Sequence, residues 1–240
     1  MPRGDYGFDA PFFPAIFGVL SVLAGIGAAI CWRELVIRTA VLWTFYFLFF
    51  LMNVTTFVYT TRRGKFLEWE KILDGLHLRG DEAVLDMGCG RGAVLTAVAR
   101  RLTTGRITGI DIWSKKDQSG NSKGVALRNA ALEGVADRVQ IDTGDMRSLP
   151  YPDATFDLVV SSLAIHNIRG NFERKRAIVE AFRVLKPGGR LVIADIRTRF
   201  YEDSLLALGS NVQRRRLGWR FWWGNPMAAT TLMTASKAPA

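Results

Sequence analysis

Two uncharged apolar segments stand close together at the start of this chain, and they constrain its fold more than any other feature. Residues 10–32 and residues 39–61 contain no Asp, Glu, Lys, Arg or His. An α-helix rises about 1.5 Å per residue, so about 20 apolar residues cross a hydrocarbon core of roughly 30 Å. Each segment is long enough, and the short stretch between them allows a tight turn. The sequence therefore predicts a two-helix transmembrane hairpin over residues 1–61.

The charges around the two segments predict how this hairpin is oriented. Three basic residues lie at positions 62–65 and Arg3 precedes the first segment, against two arginines in the connecting turn. Basic flanks stay in the cytoplasm, so both termini and the chain beyond residue 61 are expected there. A signal peptide cleaved near Ala28 is the alternative for the first segment. It is disfavoured because two aspartates precede the segment and a second apolar segment follows at once.

The net charge is unevenly distributed along the chain. Residues 1–59 are electrically balanced, so the whole formal charge of +10 belongs to residues 60–240. Beside a membrane anchor, anionic lipid head groups attract such a basic part by about 1 kcal/mol per nearby Lys or Arg. Nucleic-acid binding is the alternative that the same charge supports. The two cysteines form no Cys-x-x-Cys or Cys/His cluster, so neither a disulfide framework nor a metal site is expected.

After residue 62, short apolar segments alternate with segments of helical spacing. Apolar strands separated by helices indicate a parallel sheet that is covered on both faces. The predicted fold class is therefore α/β, a doubly wound, Rossmann-like domain over residues 62–240. Strands are predicted at residues 83–87, 106–110, 139–143, 156–161, 190–195, 211–217 and 230–236, and helices at residues 66–78, 93–102, 120–133 and 174–185.

A glycine-rich loop follows the first of these strands. Residues 84–92 read VLDMGCGRG, with glycines at positions 88, 90 and 92. Glycine lets the backbone approach a ligand without a Cβ clash, and the helix that begins after the loop adds a positive dipole end. Asp86 distinguishes this loop from a dinucleotide-binding fingerprint, because a carboxylate repels a pyrophosphate and suits a cationic ligand.

Two further acidic residues follow the next two strands. Asp111 ends the second strand, where an acidic side chain can hold two ribose hydroxyls. Asp145 follows the third strand and is able to accept a hydrogen bond from an exocyclic adenine amine. Both positions favour a nucleoside ligand.

With these motifs in order, the chain resembles the class I S-adenosylmethionine-dependent methyltransferases. The resemblance covers roughly residues 66–240 and rests on DMGCGRG, GID, GDMRSLPYPDATFDLVVSS and RVLKPGGRLVIAD. The chain looks most like the methyltransferases of quinone and lipid biosynthesis, through motifs that many members share. The resemblance implies a seven-stranded sheet whose last strand is antiparallel, with S-adenosyl-L-methionine as the cofactor. The implied cofactor-binding residues are Asp86, Gly88, Cys89, Gly90, Asp111, Ile112, Gly144, Asp145, Met146 and Ser161.

His166 is the candidate catalytic residue. It follows the fourth strand, which lies next to the first in such a sheet, so it is expected near the transferred methyl group. Histidine titrates near neutral pH, which suits a general base. The alternative is that His166 only shapes the pocket. The segment around it lacks the Asn/Asp-Pro-Pro-aromatic motif of methyltransferases that act on nucleic-acid bases, so no nucleic-acid partner is expected.

Three other features of the sequence bear on the cofactor site or the membrane, and two of them have more than one interpretation. Cys89 is either a thiol made reactive by the helix amino end or a small residue that fills the loop, and the second is favoured. Residues 214–223 mix four arginines with four aromatic residues, which suits a lipid interface, stacking on unpaired bases or packing against the sheet edge. Residues 113–119 form a polar insert that is expected to lie over the adenosine.

The predicted function is an integral-membrane methyltransferase that acts at the cytoplasmic face on a lipid-soluble small molecule. Quinone precursors, isoprenoids and phospholipid head groups are the acceptor classes considered. The alternative is a membrane-tethered methyltransferase of a soluble small molecule or a protein, and a non-catalytic cofactor-binding module comes third. The expected partners are the lipid bilayer and a membrane lipid or lipid-soluble substrate, and assembly into a homo-oligomer is left open.

Overall fold

The protein begins with a pair of long apolar helices. The structure is a computed structural model that describes residues 3–114 and 118–239. Helices α1 (Phe12–Arg33) and α2 (Ile37–Tyr59) pack against each other as a hairpin. Two helices, α1 and the longer helix that α2 begins, are long and apolar enough to cross a membrane, judged by length and composition. Helices therefore form at both apolar segments.

Small residues on α1 allow aromatic rings of α2 to pack closely against it. A Cβ atom on Gly27 would lie 2.8 Å from the ring of Trp43, and one on Gly25 would lie 3.2 Å from the ring of Phe47. Close approach of this kind is typical of helices that associate in lipid. The outward-facing side chains are large and apolar, and more than half of the surface is exposed for each of Ile16, Val19, Leu23, Phe45 and Leu48.

A seven-stranded mixed sheet forms the body of the chain within the described residues. The strands are β1 (Ala83–Met87), β2 (Arg106–Asp111), β3 (Val139–Thr143), β4 (Phe156–Ser162), β5 (Leu185–Asp195), β6 (Ser210–Arg216) and β7 (Thr231–Ser236). Their order is β3-β2-β1-β4-β5-β7-β6, and β7 runs antiparallel to both of its neighbours. The predicted fold class is confirmed. β5 begins five residues earlier than predicted, because Leu185 pairs with Phe156 ahead of a shift in register.

Helices cover both faces of the sheet. The described helices beyond the hairpin are α3 (Lys65–Leu76), α4 (Ala93–Ala99), α5 (Lys123–Leu132), α6 (Asn171–Val184) and α7 (Glu202–Leu208). Helices α3, α4 and α5 share one buried apolar cluster with Val84 of β1, and α6 and α7 share the other with Leu85. Successive side chains of a strand point to opposite faces, so neighbouring residues enter different clusters. The sequence did not indicate α7, a helix of only seven residues.

The first residues of the chain lie against the α/β domain, and Phe8 also stacks on Phe57 of α2, with ring centroids 6.3 Å apart. Residues 3–9, here called the N-terminal strap, reach the glycine loop: Asp5 forms an ion pair with Arg91 at 2.6 Å. The Tyr6 side chain is buried, and its hydroxyl lies 2.8 Å from that of Thr96. The strap is followed directly by α1, so it connects the apolar hairpin to the cofactor loop. The division of the chain at residue 61 stays a prediction.

The second apolar helix does not end at residue 61. A turn of π-helix (Thr60–Gly64) continues α2 directly into α3. The loop between β6 and β7 docks on this turn, and the Thr60 hydroxyl donates to the carbonyl of Trp222 at 2.6 Å. Trp219 stacks on Tyr59 with ring centroids 4.9 Å apart. Part of the segment of arginines and aromatic residues at positions 214–223 therefore packs against the base of the hairpin.

Gly64 is the residue that allows this docking, and its replacement by alanine is expected to destabilise the protein. A Cβ atom on Gly64 would lie 1.7 Å from the carbonyl oxygen of Arg220, which requires the loop to move away. Gly75 in α3 is the matched control, because a Cβ there meets no atom within 4 Å. Alanine in a helix interior is about 1 kcal/mol more favourable than glycine. Thermal unfolding in detergent should therefore give a lower Tm for Gly64→Ala and an equal or higher Tm for Gly75→Ala. Equal Tm values for the two variants would contradict this account.

Candidate active site

A cavity of about 650 Å³ opens at the carboxyl ends of β1 to β4. Ligand pockets typically measure about 300–1,000 Å³, and open α/β sheets bind ligands at this edge, where the strand order reverses. Ser161, one of the predicted cofactor residues, is fully buried and donates to the carbonyl of Met87 at 2.8 Å, while its neighbour Ser162 lines the cavity. The other predicted residues line the cavity: Asp86, Gly88, Cys89, Gly90, Asp111, Ile112, Gly144, Asp145 and Met146.

The glycine loop is shaped so that its backbone faces the cavity. Gly88 has a φ of 75°, and a Cβ atom there would lie 2.3 Å from the Cβ of Ala164. Gly90 has a φ of 53°, and its amide donates to the Asp111 carboxylate at 2.9 Å. Both conformations are ones that L-residues with side chains rarely adopt. The loop therefore requires glycine at both positions.

Asp86 is a buried carboxyl group that faces the cavity. Only 1% of its surface is exposed, and its Oδ2 atom has no hydrogen-bond partner among the described residues. Burial, together with the nearby negative charge of Asp111, raises the pKa of Asp86 to about 8. A positively charged ligand group would stabilise the ionised form. This arrangement fits the sequence-based interpretation that Asp86 faces a cation.

Cys89 packs inside the loop. Its side chain is buried, and a Cβ atom on Gly109 would lie 2.8 Å from its Sγ. Burial and the charges of Asp86 and Asp111 raise the pKa of the thiol well above its usual range. A low thiol pKa is what makes a cysteine reactive, so the structure supports the packing role.

Asp111, the last residue of β2, and Asp145, which follows β3, differ in their hydrogen-bond partners. Asp111 accepts from the amides of Gly90 and Trp113, at 2.9 and 2.6 Å. Asp145 is held by Arg147, whose Nε and NH2 groups donate to its carboxylate, and this guanidinium lowers the Asp145 pKa. An adenine amine would therefore share Asp145 with Arg147.

His166 is paired with a buried carboxylate that the sequence analysis missed. The Nδ1 atom of His166 lies 2.6 Å from Asp195 Oδ1, and the His166 amide donates to Asp195 Oδ2 at 3.0 Å. Asp195 ends β5 and is fully buried. In the neutral ring form whose Nδ1 donates to Asp195, Nε2 is the nitrogen that can accept a proton. The acid at the end of the LVIAD strand was the available sequence signal.

His166 itself does not belong to the described cavity lining, although Ala164 and Asn167 on either side do. Its side chain keeps about a fifth of its surface exposed, at 19%. The general-base assignment therefore stays a prediction, now with a specific partner for the ring.

One wall of the cavity is built from the strap and α3, which the sequence did not indicate. Asp9, Lys65, Phe66 and Trp69 all line it. Lys65 is buried and lies 2.5 Å from Asp9 Oδ2, and Trp69 donates its indole N–H to Ser162 at 2.8 Å. Asp9 and Lys65 are 56 positions apart, so no local pattern joins them.

The polar insert after β2 is described in part. Residues 115–117 lie outside the described residues, while Ser114 and Gln118 line the cavity. Gln118 accepts from the amide of Arg91 in the glycine loop at 3.0 Å. The predicted position of the insert over the adenosine stays a prediction.

The central part of the α/β domain is similar to known proteins. A family model described as a methyltransferase domain matches residues 85–193. This match agrees with the resemblance of the chain to the class I S-adenosylmethionine-dependent methyltransferases. This match confirms the sequence-based recognition of that fold and its cofactor, S-adenosyl-L-methionine. The methyltransferase fold is also found in the geranyl diphosphate C-methyltransferase of Streptomyces coelicolor, with a TM-score of 0.56 and 16% identity over 72% of this chain and 79% of that one.

Two curated relatives illustrate the range of acceptors in this family. The chain is 36% identical over 128 residues to the 27-O-demethylrifamycin SV methyltransferase of Amycolatopsis mediterranei, covering 52% of this chain and 43% of that protein. It is 34% identical over 131 residues to the demethylmenaquinone methyltransferase of Lactiplantibacillus plantarum, covering 54% and 52%. The chain thus spans about half the length of the curated relatives it matches.

The residues present fit S-adenosylmethionine. Asp86 offers an unpaired buried carboxyl group to the positive charge of the ligand, and the glycine loop provides close backbone approach at Gly88 and Gly90. Asp111 stands where ribose hydroxyls are held in this fold. When bound, the cofactor supplies an activated methyl group, and the residues around it would bind and orient the cofactor.

Cofactor affinity is expected to rise with pH because of Asp86. The pKa of this carboxyl is raised to about 8, so at lower pH the free protein holds it protonated. A bound ammonium group favours the ionised form and lowers that pKa, so binding releases a proton and affinity increases by up to about tenfold per pH unit. Above about pH 8 the increase should stop.

Calorimetry with S-adenosylhomocysteine measures this effect, and buffers with different ionisation enthalpies report the proton released. Asp86→Asn is the matched variant, because an amide keeps the shape of the side chain and does not titrate. An affinity for the native chain that stays constant from pH 6 to pH 8 would show that Asp86 does not face the charged part of the ligand.

Proposed function

We propose that this chain is an integral-membrane, S-adenosylmethionine-dependent methyltransferase that acts on a lipid-soluble small molecule. One observation carries the proposal: one wall of the cavity comes from segments that are continuous with the apolar hairpin. Asp9 precedes α1 by three residues, and Lys65, Phe66 and Trp69 lie on the helix that α2 extends. The segments that flank the hairpin on both sides thus contribute to the site.

The exposure of the two helices supports insertion into a membrane. In the most apolar 18 residues of α1, only 17% are buried in the protein. In the corresponding 18 residues of the helix that begins with α2, only 11% are buried. A core helix of a water-soluble domain would be mostly buried. Exposing apolar surface to water costs about 25 cal/mol per Å², and lipid removes that cost.

The strap argues against removal of α1 as a signal peptide. Cleavage near Ala28 would release residues 3–9, which bind the domain through several contacts. The backbone amide of Gly4 donates to Glu133 at 3.0 Å, and Arg91 donates to the carbonyl of Asp5 at 3.0 Å. These contacts also favour an N-terminus on the same side of the membrane as the catalytic domain, which agrees with the basic flanks.

The junction between hairpin and domain has the chemistry of a membrane interface. Tyr59 and the half-exposed Trp219 stack there, and the guanidinium of Arg220 lies over the Trp219 ring at 5.7 Å. Arg62 and Arg63 follow within one turn, and both are exposed. Aromatic rings and basic groups are favoured at the head-group level. The mouth of the cavity would then lie close to the cytoplasmic lipid surface.

The acceptor class follows from this position. A cavity that borders a membrane hairpin suits a molecule that partitions into lipid and presents a reactive hydroxyl or ring carbon to the site. The relative from Lactiplantibacillus plantarum is named for demethylmenaquinone, a molecule of this class. His166, oriented by Asp195, would take the proton that the acceptor loses.

Sealed membrane vesicles of both orientations provide the test. The full chain is placed in inverted vesicles and in right-side-out vesicles, and S-adenosylmethionine with a labelled methyl group is added outside. Label should enter the organic-phase lipid extract of inverted vesicles only, because the cofactor does not cross the bilayer. Label confined to water-soluble molecules or protein would support the tethered alternative, and no transfer to any acceptor would overturn the proposal.

A further inference from the structure

Asn121 presents an unexplained polar atom to the cavity. Its amide nitrogen donates to Asp111 Oδ1 and to the carbonyl of Ser114, both at 3.3 Å. Both partners can only accept, so the NH2 end of the side chain must face them. The orientation of the amide is therefore fixed, and its Oδ1 atom points away from Asp111 and Ser114.

That Oδ1 atom is buried without a hydrogen-bond partner among the described residues. The Asn121 residue is 5% exposed and lines the cavity. Leaving a buried carbonyl oxygen unsatisfied costs about 1–3 kcal/mol. The residue next in sequence, Ser122, caps α5 by accepting from the amide of Val125, which holds the segment in place. A ligand that donates a hydrogen bond would remove this cost.

The number of acceptor sites on Asp111 indicates which ligand atom this is. A carboxylate offers about four lone-pair sites. Three are occupied, by the amides of Gly90 and Trp113 and by the Asn121 side chain. About one site remains for a ligand, whereas a ribose presents two hydroxyl groups. Asp111 alone is therefore one acceptor short.

We propose that Asn121 is a second ribose-binding residue, whose Oδ1 atom accepts a hydrogen bond from one ribose hydroxyl while Asp111 accepts from the other. Its amide nitrogen at the same time orients the Asp111 carboxylate. The inference rests on the proposed function only in taking S-adenosylmethionine or its product as the ligand. It adds a residue outside the DMGCGRG, GID and GDM motifs to the cofactor site.

Calorimetry with three ligands tests the proposal on the full-length native chain and on Asn121→Ala. The ligands are S-adenosylhomocysteine and its 2′-deoxy and 3′-deoxy analogues. Asn121→Ala should bind S-adenosylhomocysteine about tenfold more weakly, the effect of one hydrogen bond. On the native chain, one of the two deoxy analogues should bind about tenfold more weakly than S-adenosylhomocysteine. On Asn121→Ala, the same analogue should bind less than twofold more weakly than S-adenosylhomocysteine.

Asn167→Ala is the matched control, because Asn167 also lines the cavity but lies beyond β4. It should leave both deoxy penalties unchanged. If each deoxy analogue loses the same factor in the native chain and in Asn121→Ala, the residue has only a structural role and the inference is wrong. A native chain that binds no S-adenosylhomocysteine would instead overturn the proposed function.

A crystal structure of the native chain with S-adenosylhomocysteine keeps the inference testable if Asn121→Ala fails to fold. The Oδ1 atom should then lie within hydrogen-bond distance of a ribose hydroxyl. Oδ1 bonded to the adenine amine, or to no ligand atom, would overturn the assignment to ribose.

Discussion

Replacing His166 by glutamine is expected to lower turnover by about 10²- to 10⁴-fold, the contribution that a general base typically makes, with cofactor affinity unchanged. Glutamine keeps a polar side chain of similar size but cannot take up a proton. Nδ1 lies 2.6 Å from the buried Asp195 carboxylate, and in the neutral ring form whose Nδ1 donates to it, Nε2 would accept the proton. Transfer of labelled methyl into lipid measures turnover, and calorimetry with S-adenosylhomocysteine measures affinity.

Asp195→Asn tests the orientation of the imidazole separately from its presence. An asparagine amide can donate to Nδ1, which favours the ring form that carries its proton on Nε2 and so removes the base. Turnover should fall in this variant too, although His166 is still in place. His77→Gln is the matched control, because the only other histidine lies at the end of α3 and does not belong to the described lining of the cavity. Full turnover in His166→Gln would assign the residue to shaping the pocket.

The parts of the fold that the sequence predicted are those with a local signal. The strands β1 and β3 begin and end at the predicted residues, because each is a short apolar or alternating run next to glycine or a polar turn. The glycine loop and Asp111 could be found for the same reason, since their spacing along the chain is what brings them to one edge of the sheet.

Long-range pairing accounts for what the sequence could not predict. Nothing local indicates that a helical turn joins α2 to α3 across residue 61, because Arg62, Arg63 and Gly64 are typical of a helix end. The β6–β7 loop, more than 150 positions away, holds that turn through contacts such as the one between Thr60 and Trp222. The partners of His166 and Lys65 are 29 and 56 positions distant, so they emerge only from the assembled domain.

Asp111→Ala should have the largest effect on cofactor binding. The variant removes the acceptor for a ribose hydroxyl and also leaves the amides of Gly90 and Trp113 and the side chain of Asn121 without their partner. Losing charge-assisted hydrogen bonds and leaving polar groups unpaired costs about 2–4 kcal/mol. Affinity for S-adenosylhomocysteine should therefore fall by about 30- to 1,000-fold, as measured by calorimetry.

Asp137→Ala separates this specific effect from the loss of one negative charge. Asp137 is exposed, pairs with its neighbour Arg138 at 3.2 Å and does not line the cavity within the described residues. The Asp137→Ala variant should bind S-adenosylhomocysteine with the affinity of the native chain. The full-length background matters here, because deleting residues 1–59 would also remove the strap that holds Arg91 in the glycine loop. Native-like affinity in Asp111→Ala would mean that the ribose is held elsewhere, and the assignment of the cavity to adenosine would have to be revised.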